Sequence, residues 1–176
     1  MEKGKIMDII EKAGDSENYE TSWDDNGVPQ SKEKSKIKQG RTSRAAGARF
    51  ELKVRKDLEE RGKVVDKWTN NVDLEEGKVV MAKRKYNPFK KMLVVGTGFP
   101  DFIAIQKIHE GSHSVIGVEV KMNGTLSKIE KEKCAWYLQN GVFSEIWIAK
   151  MVREGRKIIV GYEDFKEKYG KKYNNL

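Results

Sequence analysis

Two short strings, Gly98-Phe99-Pro100-Asp101-Phe102-Ile103-Ala104 and Val118-Glu119-Val120-Lys121, hold the residue types that a metal-assisted attack on a phosphodiester needs. Asp101 and Glu119 offer hard oxygen ligands of the kind Mg²⁺ or Mn²⁺ takes, with the rest of the shell left to water and substrate phosphate. Lys121 adds an amine that can orient the attacking water or help deprotonate it, and that offsets charge on a phosphorane. For these groups to meet, the chain must fold back between them. A turn at Glu110-Gly111-Ser112-His113 would pair the apolar runs Phe102 to Ile108 and Ser114 to Val120 as a β-hairpin, with Asp101 opening its first strand. The strand period of two then puts Glu119 and Lys121 on one face and Val118 and Val120 on the other, where the valines enter the core.

The flanking sequence supplies the scaffold. Ser43 to Arg61 reads as a helix through Phe50, Leu52, Val54 and Leu58, with Ser43 as N-cap and Gly62 as stop. Glu51 lies on it and could point at the sheet edge that bears the metal; the plainer alternative is an i,i+4 surface pair with Arg55. Val64 to Trp68, Lys78 to Met81 and Met92 to Val95 read as strands. Leu126 to Asn140 reads as a helix capped by Thr125 or Ser127 and stopped by Gly141, with Glu130 expected on its surface. Phe143 to Met151 and Lys157 to Val160 return to strand, and Glu163 to Tyr169 closes as a helix. This order predicts an α/β chain built on a mixed sheet flanked by helices.

The chain has 176 residues and a formal net charge of +8, which favours a polyanionic partner, nucleic acid before membrane. No stretch approaches the roughly 18 consecutive apolar residues of a spanning helix, and the charged N-terminus lacks a signal-peptide apolar region, so the expectation is an intracellular (cytoplasmic) protein without membrane contact. The lone Cys134 agrees with a reducing compartment. Residues 1 to 30 carry three basic and eight acidic side chains, against ten and two in residues 31 to 56. Met1 to Gly14 could form a brief amphipathic helix, but Asp15 to Gly40 is polar and without period. Residues 1–40 are therefore expected to be a flexible, mostly disordered charged tail, and 41–176 the domain proper.

Over about Thr42 to Lys150 these residues resemble the PD-(D/E)xK nuclease superfamily. The Phe50-Glu51 helix is most similar to that of archaeal Holliday-junction resolvases, and Leu126-Ser127-Lys128-Ile129-Glu130, with Trp136, Leu138 and Gly141, looks like the helix of the VRR-type branch. That branch usually has Gln where this chain has Glu130. The resemblance implies a restriction-endonuclease-like fold and a Mg²⁺- or Mn²⁺-dependent DNA endonuclease, structure-specific for junctions or flaps, acting in repair, recombination or a mobile element. It implies Asp101, Glu119, Lys121 and Glu51 as catalytic residues, metal ligation by Asp101, Glu119, Glu51 and the Val120 carbonyl, and a homodimer. The rival reading is a nucleic-acid-binding module that keeps the fold without cutting.

Lys78 to Met92 holds six basic residues and no acidic one, with Tyr86 and Phe89 interleaved. Lys83, Arg84, Lys85, Lys90 and Lys91 there, with Arg41 and Arg44 upstream, are candidate phosphate contacts. A solvated lysine-rich surface is the plainer account. Gly96-Thr97-Gly98 precedes a strand rather than a helix and so reads as a turn that gives Asp101 room, not as a phosphate loop. His109, His113 and Cys134 lack the pairings of a zinc site.

Overall fold

A tight turn at Asp24 to Gly27 organises the first part of the chain. In this computed structural model, which describes residues 3–82, 84–87, 92–95 and 98–173, Asp24 Oδ1 accepts the Asn26 and Val28 N–H groups at 3.0 and 2.9 Å, and Gly27 takes φ 73°. Helix α1 (Lys3–Gly14) comes first, then strands β1 (Tyr19–Trp23) and β2 (Pro29–Glu33), which pair antiparallel from Tyr19↔Glu33 to Trp23↔Pro29. Helix α2 (Lys34–Glu60) follows directly. The expected tail is thus corrected: the aperiodic stretch 15–40 contains a hairpin and the start of a helix. The cause is local, since Asn-Gly within a run of Asp favours a hairpin turn. Helix α2 starts at Lys34, so Ser43 is mid-helix rather than its cap.

The chain divides into two compact units, Met1–Arg49 and Phe50–Leu176, the division falling within α2. In the second unit, β3 (Val64–Lys67) is followed by two small hairpins, β4 (Asn70–Asp73) with β5 (Lys78–Met81) and β6 (Arg84–Asn87) with β7 (Met92–Val95). Strands β8 (Phe102–His109) and β9 (Ser112–Val120) form the central hairpin, Gly111 turning at φ 76°. Helix α3 (Lys128–Gln139) crosses to β10 (Glu145–Glu154), β11 (Lys157–Asp164) returns, and α4 (Phe165–Tyr169) runs into a short 3-10 turn, Gly170–Lys172. The five-stranded sheet runs β11-β10-β9-β8-β3, with only β9 and β10 parallel. It is a mixed sheet flanked by helices. Among the described residues no helix is long and apolar enough to cross a membrane.

Both faces of this sheet are covered. Phe50, Val54 and Leu58, at i, i+4 and i+8 on α2, join Val65, Phe102, Ala104, Ile116 and Val118 in one core. Burying side chains such as Val54 and Leu58 contributes about 1.5–3 kcal/mol each. On the opposite face Cys134, Ala135 and Tyr137 of α3 pack with Phe99, Phe143, Ile146, Ile148 and Phe165. Helix α3 starts in a capping box: Ser127 Oγ accepts the Glu130 N–H at 3.3 Å and Glu130 Oε2 accepts the Ser127 N–H at 2.7 Å.

The approach to β8 is threaded through a narrow gap. Phe99 N–H donates to the Asn70 carbonyl at 2.9 Å, and a Cβ on Gly98 would fall inside van der Waals contact of the Trp68 and Asn70 backbone oxygens. Gly98→Ala should therefore lower folding stability by about 2 kcal/mol or more in urea denaturation. Gly47→Ala, in open space on α2, should be neutral or stabilising. Equal midpoints for wild type and Gly98→Ala would contradict the close approach.

Candidate active site

The register Phe102↔Val118 sets Asp101 beside Glu119 at the end of the β8–β9 hairpin. Each carboxylate is bound by the other strand's backbone: Asp101 Oδ2 accepts the Val120 N–H at 2.9 Å, and Glu119 Oε2 accepts the Asp101 N–H at 3.2 Å. Lys121, one residue past β9, donates its backbone N–H to Ala149 O at 2.9 Å. Its Nζ lies 3.0 Å from Glu119 Oε1 and 2.7 Å from Glu130 Oε1. The chain then turns at Gly124, φ 68°, whose N–H donates to Lys121 O at 2.7 Å. That turn brings α3 back so that its first turn faces Lys121.

Glu130 therefore has two jobs, and the expectation of a surface position is corrected. One of its oxygens caps α3 and the other holds the site lysine. The Ser127-x-x-Glu130 pattern signals the cap in sequence, whereas the contact with Lys121 depends on the turn at Gly124.

Glu51 faces a partner that sequence reasoning missed. Its Oε2 lies 3.5 Å from Nζ of Lys67, the last residue of β3, while Arg55 pairs with Glu59 instead. Lys67 is opposite Phe102 in register, with Nζ 5.8 Å from that ring's centre. No sequence signal marks it, because its place depends on β3 pairing with β8. Glu51 acts on Asp101 through charge, yet among the described residues no three His, Cys, Asp or Glu side chains gather into one ligand set. Of the expected phosphate contacts, Lys83, Lys90 and Lys91 lie outside the described residues. Arg84 and Lys85 fall on β6, and Arg41 and Arg44 are exposed on α2 in the first unit.

Burial governs the electrostatics. The Glu119 side chain is only 5% exposed because α3 covers the face that alternation assigns to it. Burial, and then the neighbouring Asp101 charge, pushes its carboxyl up to about 8. Burial also raises Asp101, with Glu51 adding to the effect and the Val120 N–H, Lys121 and Lys67 opposing it. For Lys121 burial works against the charge, but Glu130 and Glu119 outweigh it and hold the ammonium above the ordinary lysine range. Lys121 is accordingly held as a cation in the metal-free site. Behind the site, burial keeps the Cys134 thiol neutral, well above its usual range.

Two adjacent carboxyl groups with hard oxygen donors, both raised by burial, suit a small divalent cation, which would relieve their repulsion. Asp101 and Glu119 fit that role. Val120, between Glu119 and Lys121, has its N–H engaged by Asp101.

Glu119 binds its proton more tightly in the folded chain than at its ordinary value of 4.5. Its support for the fold is complete below about 4.5 and is withdrawn as pH rises to about 8. In metal-free buffer Glu119→Gln should therefore gain stability relative to wild type as pH rises from about 5 to about 8, by a few kcal/mol at most, with the gain vanishing toward acid. Urea midpoints measured across that range check this; a gap that is constant or widens toward acid contradicts it.

Comparison of the chain with protein-family models, with curated proteins and with solved structures finds no match.

Proposed function

We propose that this chain is a Mg²⁺- or Mn²⁺-dependent endonuclease of the PD-(D/E)xK type that hydrolyses phosphodiester bonds in DNA. The observation that carries the reading is the reciprocal bonding of Asp101 and Glu119 across β8 and β9, with the Lys121 ammonium 3.0 Å from Glu119. The mixed sheet with helices on both faces is in keeping with a restriction-endonuclease-like arrangement. Branched DNA, junctions and flaps, is the substrate form to which the motif resemblance points.

Asp101, Glu119 and the Val120 carbonyl would hold the ion. When bound, it polarises the phosphoryl oxygen and makes a water more acidic. Asp101 and Glu119 fix its position because their carboxylates are already tied to the opposite strand. Lys121, held charged by Glu130, orients water and offsets negative charge that builds on the phosphoryl oxygens. A water oxygen bonds to phosphorus as one bridging P–O bond breaks. The water's proton passes to solvent, and the departing oxyanion takes one up.

Asp101→Ala and Glu119→Ala should each abolish cutting in Mg²⁺ while DNA affinity in metal-free buffer stays equal or tightens, since a negative charge beside the phosphate is gone. Lys121→Ala should lose about 10²–10³ in rate yet keep metal binding. Ca²⁺ should support binding without efficient cutting, its larger shell placing water poorly. Gel shift and nicking on linear, single-stranded, flap and four-way-junction DNA, and on RNA, read these outcomes. Wild-type rates from Asp101→Ala, or no cutting of any form by the wild type in Mg²⁺ or Mn²⁺, would overturn the proposal.

A further inference from the structure

Lys67 has no assignment in the catalytic scheme, yet its placement is specific. Strand β8, which Asp101 opens, lies between β9 and β3 in the sheet. The residue after the end of β9 is Lys121, and the last residue of β3 is Lys67. Two ammonium groups thus come from the two strands that neighbour Asp101, and each has a carboxylate partner from a helix: Glu130 of α3 for Lys121, Glu51 of α2 for Lys67. The two pairs differ in one respect. Lys121 is held tightly, at 2.7 Å with its side chain 29% exposed, whereas Lys67 is held loosely, at 3.5 Å and 57% exposed.

A stability role does not account for Lys67. An exposed pair at this separation contributes about 0–1 kcal/mol, and its Nζ is too far from the Phe102 ring centre, at 5.8 Å, for more than a weak cation–π contact. A lysine ammonium has three donors, and a single carboxylate at 3.5 Å leaves donors facing solvent. Its charge nevertheless reaches Asp101. A cation that is reachable from solvent, loosely tethered and within electrostatic range of a candidate metal ligand has the attributes of a substrate anion site.

We propose that Lys67 is a second phosphate-binding residue of this site, engaging the nucleic-acid backbone on the Glu51 side of Asp101, with Glu51 acting as the tether that aims it. This rests on the nuclease reading above. It gives Glu51 a role that does not require it to ligate metal, in keeping with its ion pair to Lys67. It also gives the site a tightly held cation on one side of Asp101 and a loosely tethered one on the other before any ion binds.

The test measures binding apart from cutting. Affinity of the full chain for fluorescent duplex and four-way-junction DNA is read by anisotropy in metal-free buffer across a salt series, for wild type, Lys67→Met, Lys67→Gln and Lys67→Arg. Both neutral variants should bind about tenfold more weakly at low salt. Their slope of log K against log salt should fall in magnitude by about 0.9, one phosphate contact. Lys67→Arg should restore both. In Mg²⁺ the neutral variants should raise KM more than they lower kcat, and Mg²⁺ binding by direct titration should equal wild type. Folded neutral variants with the wild-type salt slope and KM would overturn the assignment of Lys67 and leave the nuclease reading standing. So would a loss that Lys67→Arg does not rescue. A wild type that binds no nucleic acid in any form would overturn both.

Discussion

The rest of the site depends on two carboxyl groups being brought together where one is buried and the other half-buried, so that water screens them poorly. Asp101 and Glu119 meet because β8 and β9 pair in a register that leaves them adjacent, and each carboxylate is then bonded to the other strand's backbone. Those bonds satisfy the groups geometrically without neutralising them. Hydrogen bonds fix position, while the Coulomb cost of a buried and a half-buried acid side by side is met by a proton, a lysine or a bound cation. The site is strained electrostatically rather than conformationally, and the strain points toward a positive ligand.

Everything nearby bears on that imbalance. Helix α3 covers Glu119, which raises the cost, and its first turn supplies Glu130, which keeps Lys121 charged and in place, which lowers it. Joining the helix cap to the lysine makes the start of α3 and the polar site one mechanical element: the Glu130 carboxylate that accepts the Ser127 N–H cannot move without releasing Lys121. On the other face α2 contributes Phe50, Val54 and Leu58 to the core and sends Glu51 toward Lys67. The hairpin is thus clamped between two helices that each carry an acid to a lysine.

Much of this was legible in the chain because local rules apply to it. The alternation in Phe102 to Val120, the turn at Gly111 and the cap at Ser127 are short-range patterns, and the structure has them. Glu119 shows where such rules stop. Alternation separates two faces, but it does not say that both are buried, and it assigns only the valine face to the core although Glu119 is buried too. Lys67 was invisible for a related reason, since nothing within Val64 to Trp68 tells which strand lies alongside. The hairpin at Asp24 to Gly27 has a local signal that composition hides: the stretch is polar enough to suggest disorder, but Asn26-Gly27 between short polar strands fixes the turn whatever the hydropathy of its flanks.

The buried Cys134 carries a practical consequence. Its side chain has no exposure and its thiol is kept neutral, so an alkylating reagent in solution reaches it only when α3 lifts from the sheet. Helix α3 also carries Glu130, and through it the grip on Lys121. The rate at which this single thiol is modified is therefore a clock for the opening of the helix that braces the site, readable by mass with no added label and slowed by whatever ligand holds that helix down.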